Sequence, residues 1–190
     1  MIYQSAIDKE FPVAEPSELT RLRNGDPAAL GAVVGRYQHR LYRYFLRLVH
    51  DSATADDLFQ QTWLHVVRHL NRYDSARSFD TWLFAVAHNA AIDLLRRRTG
   101  ESLDDREWEL PSPTPDALSA VLAGERAAIL ADAVRTLPAL YREAITLRFE
   151  EGMKLEEIAE VTRAPLSTVK SRVQRGLEAL KQKISREGIL

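Results

Sequence analysis

Apolar residues recur along most of this chain three and four positions apart, the spacing that places them on one face of an α-helix. Helices are predicted in this way at about residues 17–23, 27–49, 56–70, 79–98, 121–134 and 139–151. A turn signal at residues 24–27 separates the first two helices, and Thr54 is the predicted N-cap of the third. No segment stands out with the period of two that is typical of strands, so the pattern predicts an all-α fold.

Two short helices joined by a turn are predicted near the C-terminus. Leu155, Ile158 and Ala159 lie on one face of the first helix, and Pro165 disfavours helical geometry at the residue before it. Ser167 is the predicted N-cap of the second helix. This second helix carries a narrow apolar stripe at Val169, Val173, Leu177, Leu180 and Ile184. Such a pair is typical of the helix-turn-helix, whose second helix enters the major groove of DNA.

The face opposite that stripe consists of hydrogen-bond donors and cations, which suit base edges and phosphates. It holds Thr168, Ser171, Gln174 and Arg175, with Lys170 and Arg172 on its flanks. Residues 163–186 carry seven basic residues against Glu178 alone, whereas acids predominate in residues 150–160. Solvated basic faces on helix pairs are also common, so the pattern alone leaves that interpretation open. Arg163 occupies the turn position where a positive φ usually favours glycine.

Residues 99–121 differ in composition from the chain on either side. They contain Pro111, Pro113 and Pro115, and six acidic residues against one arginine, which predicts a flexible acidic linker. We therefore predict two small helical domains joined by this linker, the C-terminal one with a helix-turn-helix. The domains are residues 26–98 and 122–190, and residues 1–25 form a tail and a short helix.

The overall composition is that of an ordinary globular protein, with 45% hydrophobic residues and a net charge of −1. A sum so close to zero argues against indiscriminate binding of nucleic acid. The chain has no cysteine, which excludes disulfides and thiolate metal sites. No apolar run is long enough to span a bilayer, and residues 1–10 lack the features of a secretory signal, so we expect a cytoplasmic location.

Candidate catalytic and metal-binding groups are few. His65 and His69 have the spacing of two metal ligands on a helix, but no third ligand is evident, so the pattern favours ordinary helix-surface histidines. Asp56 and Asp57 are adjacent, so their side chains point about 100° apart on a helix and favour a polar contact surface over a shared ion. The sequence contains no phosphate-binding loop and no nucleophile motif. We expect no enzyme activity, no metal and no cofactor.

Aromatic and basic side chains are combined in residues 77–98. Phe79 and Trp82 lie at a predicted helix start, and three arginines at 96–98 end the same helix. Aromatic faces beside cations are a means of holding unstacked bases, but helical periodicity alone favours a place in the core for both aromatics. In the preceding helix the predicted core face consists of Phe59, Trp63, Val66, Val67 and Leu70.

Several motifs follow one another in a specific order. They are D-D-L-F-Q-Q-T-W at 56–63, F-D-T-W-L-F-A-V-A-H-N-A-A-I-D-L-L-R-R at 79–97, L-P-A-L-Y-R-E-A-I-T-L-R-F-E-E-G-M-K-L-E-E-I-A-E-V at 137–161, and S-T-V-K-S-R-V-Q-R-G-L-E-A-L at 167–180. In this order, on either side of an acidic linker, they resemble the bacterial RNA polymerase sigma factors, specifically the small extracytoplasmic-function (ECF) group of the sigma-70 family. The resemblance covers nearly everything from residue 26 to residue 186.

This resemblance implies three binding surfaces. The surface that docks on the β′ clamp helices of the polymerase consists of Asp56, Asp57, Leu58, Phe59 and Gln60. The surface that opens and captures the −10 strand includes the loop at 71–78, with Arg77, Ser78, Phe79, Trp82, His88, Asn89 and Arg96. The surface that reads the −35 duplex beside the β flap consists of Ser167, Thr168, Lys170, Ser171, Gln174 and Arg175. The acidic linker would thread where RNA later passes.

The implied partners are core RNA polymerase, promoter DNA and an anti-sigma factor, of a kind that is usually anchored in the membrane; no membrane insertion of this chain itself is expected. A helix-turn-helix regulator that acts without core polymerase is the alternative function, although such a regulator has no need of a strand-opening domain. A protein-interaction module that merely uses helical folds is a third possibility. Promoter-specific initiation in a mixture with core polymerase distinguishes the three.

Overall fold

The structure, a computed structural model, describes residues 12–99 and 131–186. Within these ranges it is all-α and has no strand, as predicted. The helices are α1 (Pro16–Arg23), α2 (Pro27–Val49), α3 (Ser52–His69), α4 (Phe79–Thr99), α5 (Ala139–Ile145), α6 (Leu155–Thr162) and α7 (Leu166–Arg186). A 3₁₀ turn follows α3 and a π-helical turn follows α5, and residues 131–135 are also helical. The predicted linker and most of the helix predicted at 121–134 lie outside the described residues.

Helices α1 to α4 form the N-terminal module, residues 16–99. Its core is rich in aromatic rings: Tyr44 meets Phe45 and Phe84 edge-on, with ring centroids 5.5 and 5.4 Å apart. The whole stripe predicted for α2 is buried, namely Tyr37, Leu41, Tyr44, Phe45 and Leu48. Burying one large apolar side chain stabilises a fold by about 1.5–3 kcal/mol, so this stripe fixes the position of α2 at the centre of the module.

The junction between α1 and α2 follows from its turn residues. Gly25 has a φ of 79°, which glycine adopts without strain. Asp26 is the N-cap of α2 and accepts a hydrogen bond from the backbone N–H of Ala28 at 2.9 Å. Pro27 follows at the first helical position, where a missing N–H costs nothing. The predicted turn is thus confirmed.

The start of α3 differs from the prediction. Asp51, not Thr54, is the N-cap: its carboxylate accepts from the backbone N–H of Thr54 at 2.9 Å. Thr54 lies one turn further on, is buried, and accepts a hydrogen bond from Arg98 at the end of α4. Both residue types cap helices well, so the sequence alone did not decide between them.

Helices α6 and α7 form the predicted helix-turn-helix in the C-terminal module, residues 131–186. Arg163 ends α6 in the left-handed region, with φ 51° and ψ 30°, as its place in the turn suggested. The prediction that Ser167 caps the second helix is wrong, because α7 begins at Leu166, directly after Pro165. Ser167 therefore lies in the first turn of α7, on its exposed side.

The core of the C-terminal module depends on a close approach between α5 and α7. Gly176 faces Ile145, and a Cβ atom on that glycine would lie 2.8 Å from Ile145 Cγ1. Around this contact lies a small buried cluster of Ala133, Val134, Leu137, Ile145 and Leu180. Only a residue without a side chain lets the two helices meet at this distance.

The two modules also pack against each other. Helix α6 lies on α4, and α5 lies against α2. Buried residues of the C-terminal module, among them Ile158 and Val161, belong to the same continuous apolar cluster as Phe84 and Leu83 of α4. The described residues therefore form one packed body in which the helix-turn-helix adjoins the N-terminal module.

Candidate nucleic-acid interface

Helix α7 presents the side chains that were predicted to meet duplex DNA. Ser167, Lys170, Gln174 and Arg175 are exposed, and Thr168 and Ser171 are half-buried on their flank. On the opposite side Val169 is buried. Leu180 of the predicted stripe is buried as well, but Leu177 is 36% exposed, so its assignment to the buried stripe is wrong. The helix is thus anchored at Val169 and Leu180 and offers donors and cations to the solvent.

Neighbouring side chains orient two members of this face. The amide of Gln174 donates to Glu178, one turn further along α7, at 3.0 Å. The guanidinium of Arg175 donates to the hydroxyl of Tyr141 on α5 at 3.3 Å. Both bonds are solvent-exposed and can be exchanged for bonds to a base or phosphate at little cost. They restrict the side chains before any DNA is bound.

The start of α4 carries an aromatic cluster that is mostly internal to the N-terminal module. Phe79 is only 4% exposed and packs edge-on against Tyr37 and Tyr73, with centroids 5.6 and 5.4 Å away. The predicted contact of Phe79 with a base is therefore not available in this structure, and the core interpretation applies to it. Trp82 is half-buried, with its ring tilted against Tyr73 and Phe79 at 5.3 and 5.7 Å.

The loop before α4 is held by its own polar groups. The hydroxyl of Tyr73 donates to the carbonyl of Arg77 at 2.6 Å, and Ser78 Oγ accepts weakly from the N–H of Thr81 at 3.4 Å. The side chains of Arg77 and Ser78 are exposed. The loop is thus shaped from within the module and leaves both predicted strand-contacting residues accessible.

The three remaining residues predicted for the −10 strand have different surroundings. Arg96 is exposed and Asn89 is half-buried. His88 is only 8% exposed, and its Nδ1 lies 2.7 Å from Glu143 Oε1 on α5. His88 therefore faces the C-terminal module instead of solvent, which the sequence could not indicate because its partner lies 55 residues away.

Helix α3 exposes part of the surface predicted to dock on polymerase. Asp56, Asp57 and Gln60 are exposed and Phe59 is half-buried, whereas Leu58 is 2% exposed and packs in the core. Leu58 thus offers no contact surface, because it points to the opposite side of the helix from Gln60.

Two apolar residues of α3 that were not predicted as contacts are exposed. Leu64 is 54% and Val67 is 52% exposed, so the prediction that Val67 belongs to the core face is wrong. They follow Gln60 by four and seven positions, which places all three on one helix face. Projection of the helix from Gln60 could have identified both residues as surface.

The two histidines of α3 that have metal-ligand spacing lie one helical turn apart. His65 and His69 stack with ring centroids 4.1 Å apart, and His69 Nδ1 lies 3.0 Å from the carbonyl of His65. Over residues 12–99 and 131–186 there is no group of three or more His, Cys, Asp or Glu placed to hold a metal ion. Over the same ranges no helix combines the length and the apolar character that crossing a bilayer requires.

Comparison with known proteins assigns both modules. Residues 33–101 match Sigma-70 region 2, and residues 127–180 match Sigma-70 region 4. The chain is 33% identical over 174 residues to the RNA polymerase sigma-H factor of Pseudomonas aeruginosa, covering 84% of this chain and 88% of that one. It is 32% identical over 176 residues to the ECF RNA polymerase sigma-E factor of Escherichia coli K12, covering 86% of this chain and 91% of that one.

Solved structures agree on the fold. CnrH in complex with the cytosolic domain of CnrY superposes with a TM-score of 0.68 at 24% identity, covering 91% of this chain and 98% of that one. RpoE in complex with the anti-sigma factor NepR from Bartonella quintana superposes with a TM-score of 0.63 at 21% identity, covering 80% and 94%. On these matches of sequence and architecture, the chain belongs to the ECF group of RNA polymerase sigma factors, which are transcription initiation factors.

Proposed function

We propose that this sigma factor binds core RNA polymerase and directs it to promoters with two separate DNA-binding helices. In this proposal, residues 122–190 read the −35 duplex through α7, and residues 26–98 bind the polymerase and hold the −10 strand through α4 and the loop before it. The observation that carries the proposal is the exposed row of donors and cations on α7, in a chain of this family.

The role proposed for α7 follows from what its outward side chains can bind. Arg175 and Lys170 can bind guanine edges or phosphates, and Gln174 can bind an adenine edge through two hydrogen bonds. Ser167, Thr168 and Ser171 are short donors suited to nearby phosphates. All six lie within the first three turns of the helix, the part that a helix-turn-helix inserts into the major groove.

The role proposed for α4 depends on fewer residues than the sequence suggested. Trp82 offers a half-buried aromatic ring, Asn89 is half-buried, and Arg77 and Arg96 are exposed cations. In this proposal Phe79 acts indirectly, through the packing of its ring against that of Trp82, with centroids 5.7 Å apart. Stacking of an unpaired base on an aromatic side chain contributes about 1–3 kcal/mol.

The proposed polymerase-binding surface is the exposed face of α3. It combines the acids Asp56 and Asp57 with Gln60, and it continues into the apolar pair Leu64 and Val67. An apolar centre with a polar border is typical of a protein interface. We assign this face to the β′ clamp helices, and a part of the C-terminal module to the β flap.

We also propose that an anti-sigma factor controls the chain in the cytoplasm, in line with the family resemblance. Such a protein would act by covering a surface that core polymerase needs. A candidate must therefore compete with core polymerase for this chain in a competition binding assay. A candidate that binds alongside polymerase without displacing it would contradict control by occlusion.

The experiment that tests the proposed function is reconstituted transcription. The purified chain is mixed with bacterial core polymerase and templates whose upstream regions are randomised, and the 5′ ends of the transcripts are sequenced. We expect start sites preceded by two enriched sequence elements that are absent when the chain is omitted. No enrichment, with DNA binding by the chain alone, would instead support the regulator that acts without polymerase.

A variant of α7 refines this test. Arg175→Ala should weaken the −35 interaction by about 1–3 kcal/mol and relax the preference at one position of that element. Lys181→Ala is the matched control, because it removes an exposed cation from the same helix outside the proposed reading face. Equal losses in the two variants would contradict the role of Arg175.

A further inference from the structure

Helix α1 contacts the loop before α4 (residues 71–78), although no binding surface was predicted on this helix. Its last residue, Arg23, donates a hydrogen bond from Nη2 to the carbonyl oxygen of Tyr73, 50 residues further along the chain. The guanidinium also lies over the ring of Tyr73, 5.5 Å from the ring centroid. A cation in this position is attracted electrostatically by the aromatic face. Arg23 therefore binds both the backbone and the side chain of one loop residue.

Tyr73 attaches this loop to the N-terminal module. Of residues 71–78 only Tyr73 is buried, and the other seven are exposed. Its backbone N–H donates to the carbonyl of Leu70 at 3.0 Å, and its hydroxyl donates to the carbonyl of Arg77 at 2.6 Å. Burial raises the pKa of Tyr73, although the charge of Arg23 acts in the opposite direction, so the hydroxyl keeps the proton that it donates. The path of the loop therefore depends on where Tyr73 is held.

The ring of Tyr73 also packs against the side chain that is proposed to stack a base. Its centroid lies 5.3 Å from that of Trp82 and 5.4 Å from that of the buried Phe79. The exposed residues Arg77 and Ser78 lie between Tyr73 and Trp82 in the sequence. A shift of Tyr73 would therefore change the surroundings of Trp82 and the positions of both exposed loop residues.

The first turn of α4 is connected to the same N-terminal part of the chain. The hydroxyl of Tyr37 on α2 donates to Asp80, and it accepts from the backbone N–H of Ala14 at 3.1 Å. Arg36 on α2 donates to both carboxylate oxygens of Glu18 at 2.6 and 2.8 Å, which fixes α1 on α2. Helix α1 and the residues just before it thus connect to both ends of the loop.

Arg23 is placed to affect the loop more than the stability of the module. Its side chain is exposed at the end of α1, whereas Leu19 and Leu22 of the same helix are buried in the core. Substitution of an exposed side chain usually changes the free energy of unfolding only slightly. A loop with one buried residue, by contrast, has few other contacts that limit its motion. Loss of Arg23 should therefore loosen the loop and leave the module folded.

The shape of the loop bears on which −10 sequence is accepted. A loop that is fixed before the strand arrives loses less conformational freedom on binding it. It also presents its side chains in one arrangement, so a wrong base meets a surface that does not adapt to it. A mobile surface can repack around different partners and discriminates less between them.

We propose that Arg23 is a positioning residue for recognition of the −10 strand: it holds Tyr73, and Tyr73 holds the loop and packs against Trp82. Arg23 itself does not touch the strand. The consequence for the −10 strand rests on the proposed function, whereas the hold of α1 on the loop does not. The competing role for an exposed arginine beside this loop is a direct contact with a DNA phosphate.

The first experiment measures discrimination between −10 sequences. Core polymerase, with a limiting amount of the natural chain, Arg23→Ala or Arg21→Ala, transcribes a promoter selected in the reconstituted reaction and copies of it with one base changed in either element. The ratio of transcript from the original and the changed promoter does not depend on the active fraction of the chain, so a merely destabilised variant leaves it unchanged. Arg21→Ala is the matched control, because it removes an exposed arginine of α1 that pairs with Asp26 instead of the loop.

The expected effect is confined to one element and one variant. Arg23→Ala should reduce discrimination at the −10 element by about 2- to 10-fold, as the loss of one hydrogen bond would, and leave discrimination at the −35 element unchanged. Arg21→Ala should change neither. An unchanged −10 ratio in Arg23→Ala, or an equal change in Arg21→Ala, would overturn the positioning role.

Salt dependence separates positioning from contact with a phosphate. Removal of a phosphate contact weakens promoter binding about equally for all sequences and reduces the slope of log affinity against log salt by about one. Positioning predicts the same slope for polymerase with Arg23→Ala and for polymerase with the natural chain. A slope reduced by about one, with equal losses on all templates, would assign Arg23 to a phosphate and overturn its role through Tyr73.

Motion of the loop is measured in the free chain, without polymerase or DNA. Because the chain has no cysteine, Ser75→Cys provides one site for a nitroxide spin label on the exposed part of the loop. We expect faster motion of the label in the Arg23→Ala background than in the natural or the Arg21→Ala background, with the same circular dichroism in all three. Equal motion in the Arg23→Ala and natural backgrounds would overturn the hold of α1 on the loop.

The two measurements fail separately. If the label moves faster in Arg23→Ala but reconstituted polymerase selects no promoter with any of the chains, the proposed function fails while the hold of α1 on the loop stands. Faster motion together with an unchanged −10 ratio in active polymerase would instead overturn the positioning role.

Discussion

Helices α4 and α7 were both predicted to contact DNA, yet the two helices differ in how much of their surface is buried. Helix α7 is buried along a narrow line at Val169 and Leu180, and its opposite face exposes Ser167, Lys170, Gln174 and Arg175. Helix α4 is buried on several sides, at Phe79, Leu83, Phe84, Ala87, Ala91, Ile92 and Leu95. A residue opposite a narrow apolar stripe is reliably exposed, whereas a helix between two layers leaves few such positions. The comparison teaches that the recognition surface of α7 is simpler to predict than that of α4.

The largest effect that separates the two helices is expected at Phe79. Phe79→Ala should destabilise the N-terminal module by about 3–5 kcal/mol, because the ring is buried against Tyr37 and Tyr73. Urea unfolding measures the change. Arg97→Ala, at an exposed position of the same helix, should stay within about 0.5 kcal/mol. A small loss of unfolding free energy in Phe79→Ala would indicate that the ring lies on the surface, where it is able to contact a base.

The contact of α7 with its own module gives a second, smaller effect. Gly176→Ala should cost about 1–3 kcal/mol, because the new methyl group would lie 2.8 Å from Ile145 Cγ1. Gly35→Ala is the matched control: nothing lies within 4 Å of its Cβ position in α2, so it should gain about 0.5–1 kcal/mol of helix stability. Thermal unfolding of both variants checks the prediction, and a stable Gly176→Ala protein would contradict the close approach.

There are physical reasons why some helix bounds, caps and core residues were predicted correctly from the sequence and others were not. Helix α2 was predicted within its observed bounds, because a strong turn and an N-cap precede it and its stripe is wholly buried. The start of α3 was misplaced because Asp51 and Thr54 are both good caps, and Val67 was placed in the core because it is apolar. Packing decided the place of Thr54, which is buried and bonded to Arg98 of α4, whereas the exposure of Val67 follows from its position on the helix relative to Gln60.

The packing of one module on the other could not be predicted at all. Glu143 and His88 are polar residues on separate helices, and no sequence feature near either residue indicates that they are in contact. The acidic character of residues 150–160 was visible, but its arginine partners in α2 and the loop before α4 were not. A charge pattern in the sequence indicates that oppositely charged side chains are needed nearby, but it does not show where in the chain they are.

The packing of the two modules also predicts that the free energy of unfolding depends on pH, through His50. Burial, followed by the nearby charges of Arg142 and Arg135, lowers the pKa of His50 to about 3. The unfolded chain takes up this proton near pH 6.5 and the folded chain does not, so stability is complete above that pH and is lost as the pH falls from about 6.5 towards 3.

The measurement is urea unfolding between pH 7 and pH 5 for the natural chain and for His50→Asn. Asparagine tolerates the left-handed conformation of His50, which has a φ of 56°. As the pH falls, the natural chain should lose stability more steeply than the His50→Asn variant. The difference between the two slopes should be at most about 1.4 kcal/mol per pH unit, which corresponds to one proton. Identical slopes in the two proteins would show that His50 is solvated and the contact is looser than described.

The smallest expected effect is at the turn of the helix-turn-helix. Arg163→Gly should change the free energy of unfolding by between zero and about 1 kcal/mol in the stabilising direction, since relief of the left-handed conformation is offset by the greater backbone entropy of glycine. Arg163→Val tests the opposite direction, because a β-branched residue is strained there. Equal stability of the two variants would contradict the observed φ.

Strand opening tests most directly the claim that α7 holds duplex DNA and α4 holds the separated strand. Permanganate reactivity of promoter thymines is measured in polymerase reconstituted with the natural chain, with Arg175→Ala, and with Asn89→Ala. We predict that Arg175→Ala weakens promoter binding but leaves bound complexes melted, and that Asn89→Ala leaves binding nearly intact and reduces melting. Loss of binding and melting in the same proportion in both variants would contradict the division between the two helices.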